Sequence, residues 1–225
     1  MDKIRIADTE AYVMLTDREF GDARKANNWV FVNQKHSGNV LLVNNFSLYR
    51  SLPENIYTFD NYDPLTTAAD AIVGKDITKP IGVFGADCAL LGLASNEGVV
   101  AVIHAGWRGL LTNIIRTSVS AMHLLSATDI WAVMGPCIHS ECYEFSADLI
   151  ERISLQIGCD VGTLTNDAKS ALDLPLAVTE LLKAEDVIIT PEIASCTACD
   201  DRWFSHRKRG EISRHGLGVM VNKTV

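Results

Sequence analysis

The sequence predicts a single α+β domain, and three observations support this. Short apolar runs bounded by turn residues recur along the chain, which is typical of buried strands. One long segment after residue 110 instead carries its apolar residues at helical spacing. No stretch rich in Gly, Pro or Ser divides the 225 residues, so we expect residues 1–225 to form one domain.

Composition and charge exclude several classes of function. The chain is 48% hydrophobic, enough for a sizeable core, and its net charge of −8 argues against a nucleic-acid or basic membrane-surface binder. No signal peptide or run long enough to span a membrane is recognisable. The six cysteines are irregularly spaced and are expected to be reduced thiols. We therefore expect a cytoplasmic protein.

Strands are predicted from the apolar runs. They are expected at 11–15, 29–32, 40–43, 81–84 continuing at 89–94, 99–103, 130–134, 187–189 and 218–221. The polar stretch 21–28 is expected to be a loop. Residues 44–66 have no clear periodicity and are expected to be irregular.

Helices are predicted in three places. A helix from about Leu110 would present one apolar face formed by Leu110, Leu111, Ile114, Ile115, Val119, Met122 and Leu125. Ser146 is placed to cap a helix over 147–157. Asp173 is placed to cap another helix, with Pro175 in its first turn and Leu182 near its end.

The central stretch concentrates reactive side chains at strand ends. The segment 95–98 is expected to be a hairpin loop, which would bring Cys88 close to His104. A glycine-flanked loop follows His104 and leads into the helix after Arg108. Free backbone N–H groups at a helix start, with Arg108 beside them, favour an anion site.

Two imidazoles and a thiolate suggest a metal centre. His36, Cys88 and His104 suit zinc, or copper less selectively, and three ligands leave a fourth position open. The alternative is a small buried cysteine and two ordinary histidines in turns or the core. Asp70 and Asp87 are predicted to support the centre or carry a proton, or else simply to cap turns.

Two further sequence patterns each allow more than one interpretation. The Cys-x-x-Cys of Cys196 and Cys199 is half a zinc ribbon, a redox pair or a structural loop, and the absence of a second such pair favours the loop. The other cysteines, Cys137, Cys142 and Cys159, are assigned to structure. The C-terminal basic run is either a solvated face or a clamp for phosphate or carboxylate, and includes Arg202, Arg207, Lys208, Arg209 and Arg214.

A series of short motifs resembles the bacterial laccase-domain proteins, also called multicopper polyphenol oxidases. Members of this family are now regarded as purine nucleoside phosphorylases with adenosine deaminase activity. The motifs are Gln34-Lys35-His36, Ala86-Asp87-Cys88, His104-Ala105-Gly106-Trp107-Arg108-Gly109, Gly135-Pro136-Cys137-Ile138, Cys142-Tyr143-Glu144, Leu172-Asp173-Leu174-Pro175, Cys196-Thr197, Phe204-Ser205-His206-Arg207 and Ser213-Arg214.

The resemblance implies a fold and a metal site. It implies a mixed-sheet α/β sandwich with flanking helices and no cupredoxin barrel. His36, Cys88 and His104 match the family's metal ligands, usually zinc, and Arg108 matches an arginine next to its active site. The chain departs from the pattern at Lys35, His206 and Ser213, and it lacks the family's N-terminal Thr-Arg and Gly-Asp-Asp motifs.

The function implied is phosphorolysis of purine nucleosides, with deamination of adenosine as a second activity. Catalysis would rest on Asp87, Cys88, His104 and Arg108, with Asp87 moving the proton. Phosphate would bind at the loop Gly106–Gly109, with Arg108 as clamp and help from Arg207 or Arg214. The partners expected are a purine nucleoside and phosphate, and the protein is expected to be a monomer.

Three other functions remain alternatives. They are copper-dependent oxidation of phenols, metal-free amide hydrolysis of cell-wall precursors by Cys88 with His104 as base, and binding of metal or nucleoside without catalysis. The first is weakened by the small number of histidines, six in all.

Overall fold

Two β-sheets pack face to face in the computed structural model, which describes residues 2–43, 52–58, 60–61, 63, 66–193 and 195–221. Among these residues the strands are β1 (Asp2–Arg5), β2 (Ala11–Thr16), β3 (Val40–Val43), β4 (Ile56–Thr58), β5 (Ala71–Lys75), β6 (Ile81–Gly85), β7 (Ala89–Ser95), β8 (Val99–Ala105), β9 (Ile130–Met134), β10 (Gly162–Leu164), β11 (Ser170–Leu172), β12 (Ile188–Ile193) and β13 (His215–Val221). The helices are α1 (Trp107–Leu111), α2 (Ile114–Leu124), α3 (Ala147–Ile157), α4 (Leu174–Ala184) and α5 (His206–Arg209).

The larger sheet is mixed and has the order β12-β9-β7-β8-β5-β3-β4. Its β7–β8–β5 and β7–β9 pairs are antiparallel, whereas β12–β9, β5–β3 and β3–β4 are parallel. The smaller sheet has the order β1-β2-β13-β6 and antiparallel pairs, and β10 and β11 form a separate ribbon. This arrangement confirms the predicted α+β class and the mixed-sheet sandwich.

The larger sheet is apolar on both faces because each face is covered. Successive strand residues point to opposite sides, so Leu90 packs toward the smaller sheet and Leu91 toward the helices. Every residue of β7 and β8 is buried. Strands covered on both faces have continuous rather than alternating apolar sequences, which explains the pattern of this hairpin.

Most of the predicted elements are confirmed. The hairpin of β7 and β8 forms, with Leu90 opposite His104. The helix α3 begins after Ser146 as predicted, although the Ser146 hydroxyl makes no capping hydrogen bond. At α4, the carboxylate of Asp173 accepts a hydrogen bond from the Leu176 N–H at 2.9 Å, which is the predicted cap.

Two predicted elements differ in the structure. The helix expected from Leu110 is two helices, because Asn113 has a left-handed backbone (φ 61°) between α1 and α2. The segment 29–32 is not a strand: only Val30 bridges to Ile81. Instead, the Trp29 ring lies against Gly82 and Gly218 of the smaller sheet, where a Cβ would collide with it.

Local patterns also missed short elements. Within 44–66, predicted to be irregular, Ile56–Thr58 is β4, which pairs with β3. Residues 44–51, 59, 62 and 64–65 of that stretch lie outside the described residues. The stretch 21–28 contains a 3₁₀ helix at Ala23–Lys25, capped by Asp22. These elements are three residues long and depend on contacts with distant parts of the chain.

None of the helices in the described parts of the chain is both long and apolar enough to cross a bilayer.

Stability should depend on pH through His215, which begins β13. Burial lowers the pKa of this imidazole from 6.5 to about 4. Between pH 6.5 and pH 4 the unfolded chain binds a proton at this residue, whereas the native state keeps the ring neutral. The free energy of unfolding is therefore highest above pH 6.5 and falls as the pH decreases from 6.5 to 4. We expect urea unfolding to show a loss of about 2 kcal/mol at pH 5 from this residue.

The matched measurement compares His215→Phe with wild type at pH 7.5 and pH 5. The variant should lose less stability between the two pH values, while the exposed-site variant His123→Gln should follow wild type. If the stability of His215→Phe and of wild type changed equally with pH, His215 would not be the origin of the pH dependence.

Candidate metal centre

Four strand ends meet at one edge of the larger sheet and create the site. β7 and β8 are antiparallel, so Cys88, just before β7, and His104, near the end of β8, lie side by side. β5 pairs antiparallel with β8 and places Asp70, just before its start, next to His104. β3 pairs parallel with β5, and the loop holding His36 precedes its start.

The segment Gly85–Cys88 carries the chain from one sheet to the other. β6 belongs to the smaller sheet, and β7 begins four residues later in the larger one. Asp87 makes this turn with a left-handed backbone (φ 101°), and its carbonyl accepts a hydrogen bond from the Ile138 N–H at 2.8 Å. The turn leaves Cys88 facing the histidines.

The three predicted ligands come together in space. One donor atom from each of His36, Cys88 and His104 lies within 4.8 Å of the others. The Sγ of Cys88 is 3.8 Å from Nε2 of His36, and the two imidazole centroids are 4.9 Å apart. Sulfur and nitrogen ligands of a tetrahedral zinc lie about 3.6 Å apart, so these residues fit the metal.

Gly106 leaves room for this cluster. A Cβ at this position would lie 2.8 Å from Sγ of Cys88 and 3.0 Å from Cδ2 of His36. The residue is therefore restricted to glycine by close contact rather than by its backbone, which is extended. It also directly precedes α1, whose first N–H groups have no acceptor within the helix.

The buried carboxylate of Asp70 organises two of the ligands. It accepts hydrogen bonds from the backbone N–H groups of Lys35, His36 and Ser37, and from the Ser37 hydroxyl. It also accepts one from Nδ1–H of His104 at 2.8 Å, which leaves Nε2 of that ring as a ligand. Of the three roles considered for Asp70, this geometry matches two: the carboxylate caps the turn at residues 35–37, and it orients the ring of His104.

Charges in the cluster shift the pKa values of its members. Burial alone would raise the pKa of Cys88, but His104 and His36 outweigh it and lower the value to about 6. Burial would lower the pKa of His104, but the Cys88 thiolate and Asp70 raise it to about 9. The hydrogen bonds to His104 and Ser37 outweigh burial and lower the pKa of Asp70. The cluster therefore favours a thiolate, the form of cysteine that binds metals.

Asp87 connects the centre to the C-terminal segment. Its Oδ1 accepts a hydrogen bond from the Thr197 hydroxyl at 2.7 Å, and its Oδ2 accepts one from the Arg207 N–H at 2.6 Å. Both oxygens are thus engaged, which makes Asp87 a positioning residue for this segment. The proton transfer predicted from the sequence stays a prediction.

A cavity of about 460 Å³ opens over the ligands. It is lined by Arg24, Gln34, His36, Phe84, Gly85, Ala86, Asp87, Cys88, His104, Trp107, Arg108, Tyr143, His206, Arg207 and Arg214. Its walls therefore combine the three potential metal ligands with aromatic rings and four arginines.

The arginines reach the cavity from four separate segments. Arg108 stacks on the Trp107 ring, 4.3 Å from its centroid, and Arg207 lies 4.9 Å from the centroid of Tyr143. Arg207 also donates to the Glu144 carbonyl, and Arg214 to the carbonyls of Glu211 and Ser213. Arg24 is paired with the Asp22 carboxylate. Carbonyl partners do not neutralise the guanidinium groups of Arg207 and Arg214, so positive charge remains at the cavity.

Sequence analysis missed some of the lining residues. Arg24 belongs to a stretch with no apolar pattern and reaches the cavity only through the tertiary fold. Tyr143 was visible only as part of a motif. Gln34 exchanges two hydrogen bonds with the backbone of Phe84, at 2.8 and 3.0 Å, and so fixes the ligand loop to β6. Its position in the motif, two residues before His36, was the one available signal.

Comparison with known sequences identifies relatives over most of the chain. The family described as multi-copper polyphenol oxidoreductase laccase matches residues 3–222. A purine nucleoside phosphorylase of Clostridium acetobutylicum is 28% identical over 75% of this chain and 72% of its own length. An adenosine deaminase from an unknown prokaryotic organism is 30% identical over 80% of this chain and 70% of its own.

Solved structures show the same fold. A Neisseria meningitidis protein superimposes with a TM-score of 0.75 at 18% identity and covers 99% of this chain and 98% of its own. YlmD from Geobacillus stearothermophilus gives a TM-score of 0.68 at 21% identity, over 87% of this chain and 74% of its own. At these identities the likeness concerns the fold alone.

Asp70→Asn should weaken metal binding while leaving the fold intact. The amide keeps the shape of the carboxylate but removes its charge and leaves one fewer acceptor for the donors around it. Loss of such a supporting partner typically lowers metal affinity 10–100-fold. Zinc affinity, measured by competition with a chromophoric chelator, should fall by about that factor, whereas the exposed-site variant Asp129→Asn should match wild type. Equal affinity in both variants would contradict the role of Asp70.

Proposed function

Because the chain belongs to the multi-copper polyphenol oxidoreductase laccase family, we propose that it is a metal-dependent purine nucleoside phosphorylase that also deaminates adenosine. The names of its relatives support the two reactions. The observation that carries the proposal is the cavity itself, which places a three-ligand cluster next to four arginines. Such a cavity suits a substrate that needs both an activated centre and an anion site.

His36, Cys88 and His104 would hold the metal, for which the two imidazoles and a thiolate favour zinc over the harder cations. A zinc ion held by these three residues would supply Lewis-acid chemistry. Copper stays an alternative for the same three ligands. The protein's own contribution is to fix the ligands through Asp70 and to keep Cys88 in its thiolate form.

Arg108, Arg207 and Arg214 would bind phosphate. Guanidinium groups bind phosphate oxygens in a bidentate way, and the N–H groups at the start of α1, after Gly106, add further donors. Arg108 is the nearest of these in sequence to the ligand His104. A phosphate held here would be oriented toward a substrate bound over the cluster.

The aromatic side chains of Phe84, Trp107 and Tyr143 provide surfaces for a purine base and its ribose. In phosphorolysis, a phosphate oxygen forms a bond to C1′ while the bond from C1′ to the base nitrogen breaks. The electron pair of that bond leaves with the base, which takes up a proton. In deamination, water replaces the amino group of adenosine, and ammonia leaves.

A metal-free hydrolase is the second candidate, and one geometric observation favours it. Cys88, His104 and Asp70 lie together and form a chain of thiolate, imidazolium and carboxylate, as in cysteine hydrolases. In that case, Cys88 would act as the nucleophile rather than as a ligand. Metal content and sensitivity to chelators distinguish the two candidates.

Cys88→Ala should lose about one equivalent of zinc, since each ligand of a three-residue site is needed to hold the ion. Metal analysis of the purified protein measures this directly. Cys159→Ser, which removes a thiol distant from the cluster, should keep the wild-type content. Full zinc in Cys88→Ala, or full activity of metal-free wild type, would favour the hydrolase.

Release of base from inosine should require phosphate and depend on Arg108. Lysine keeps the charge but cannot form the bidentate contact, so Arg108→Lys should raise the KM for phosphate about tenfold or more. The variant should keep its zinc and its thermal stability. Arg116→Lys is the matched control, because Arg116 is exposed on α2 and faces Glu185 instead.

Two outcomes would contradict this mechanism. Equal release of hypoxanthine with and without phosphate would identify hydrolysis. A stable Arg108→Lys variant with unchanged KM for phosphate would remove Arg108 from the anion site.

A further inference from the structure

A second cluster of potential metal ligands lies outside the centre described above. Single donor atoms of Glu141, Cys142, Cys196 and Cys199 all lie within 4.8 Å of one another. The sulfurs of Cys142 and Cys199 are 3.4 Å apart, and Sγ of Cys199 is 3.9 Å from Oε1 of Glu141. From the sequence, Cys142 was assigned to structure and the Cys-x-x-Cys to a loop.

The topology explains why these residues meet. Glu141 and Cys142 lie in a 3₁₀ helix (Ser140–Cys142) beyond the end of β9, and the Cys-x-x-Cys follows β12. β9 and β12 are parallel neighbours, so both segments leave the sheet at the same edge. The Thr197 N–H donates to the Cys137 carbonyl at 3.0 Å, which joins the two segments directly.

The cluster has the chemistry of a closed zinc site. Three thiolates and one oxygen form a complete tetrahedral set, and sulfur ligands exclude magnesium and calcium as preferred ions. Two sulfurs bound to one tetrahedral zinc lie about 3.8 Å apart, near the separation of Cys142 and Cys199. The buried sulfur of Cys196 also accepts a hydrogen bond from the His139 N–H at 3.3 Å, a contact typical of thiolate ligands.

We propose that Glu141, Cys142, Cys196 and Cys199 form a second, structural zinc site. It uses none of the residues of the first centre, and it does not rest on the proposed reaction. All four of its coordination positions are filled by protein, so no position is left for a substrate. Binding of the ion displaces the protons of the three thiols, which pass to the solvent.

The position of this site gives it a role in shaping the cavity. Thr197 lies between the two cysteines of the Cys-x-x-Cys, and its hydroxyl donates to Asp87. Tyr143, next to Cys142, stacks with Arg207. An ion bound here would therefore fix the segments that position Asp87 and Arg207 against the cavity.

The test compares zinc content in protein purified and reconstituted with zinc chloride under reducing, anaerobic conditions. Cys199→Ser should hold about one equivalent less zinc than wild type, and it should unfold at a lower temperature. Cys159→Ser is the matched control and should hold as much zinc as wild type. Cys88→Ala should lose the other equivalent, and the zinc that remains in it should show a sulfur-rich shell by X-ray absorption.

If Cys199→Ser does not fold, thiol labelling of the wild-type protein tests the proposal instead. Zinc should protect Cys142 and Cys199 from N-ethylmaleimide and leave Cys159 reactive. Equal labelling of Cys142 and Cys199 with and without zinc would overturn the proposal. Unchanged zinc content in a folded Cys199→Ser variant would also overturn it. A disulfide between Cys142 and Cys199 in protein isolated from the cytoplasm of its expression host would do the same.

Discussion

A single buried carboxylate holds the centre together. Asp70 accepts hydrogen bonds from three successive backbone N–H groups, at residues 35–37, as well as from the Ser37 hydroxyl and the His104 ring. A buried charge is costly unless it is fully hydrogen-bonded, and here the donors offset that cost. The same contacts hold His36 in a left-handed backbone (φ 61°), a conformation that a histidine rarely adopts alone. Two ligands from distant parts of the chain are thus oriented before any ion arrives.

The charge of the cavity contrasts with that of the whole chain. The net charge is −8, yet four arginines from separate segments line one cavity. A local positive field in a recessed site attracts anions even when the protein as a whole repels them. Asp87 holds the segment that carries Arg207 through the Arg207 N–H, and the loop between Cys196 and Cys199 contacts the same segment through Arg209. The net charge of the chain therefore characterises the outer surface of the protein and not this cavity.

Features that depend on contacts between residues close in sequence were predictable from the sequence, whereas features that depend on distant segments were not. The β7–β8 hairpin and the cap of α4 rest on contacts within about 15 residues, and both are confirmed. The resemblance drawn from the motifs is confirmed by a family match over residues 3–222. The kink at Asn113 and the failure of 29–32 to form a strand depend on backbone and packing choices made by the tertiary fold. Arg24 and the meeting of Cys142 with Cys199 depend on segments far apart in sequence, for which local patterns carry no signal.

The position of Cys88 and His104 in one hairpin has a consequence for how the chain reaches its native state. Both strands are apolar apart from Ser95 and His104, so burial of apolar side chains discriminates poorly between the native pairing and one shifted by a residue. Such a shift would turn His104 to the opposite face and separate it from Cys88, so a slipped hairpin could not assemble the three ligands. Ion binding would then stabilise only the correctly paired chain, and the metal would act as a check on strand register during folding.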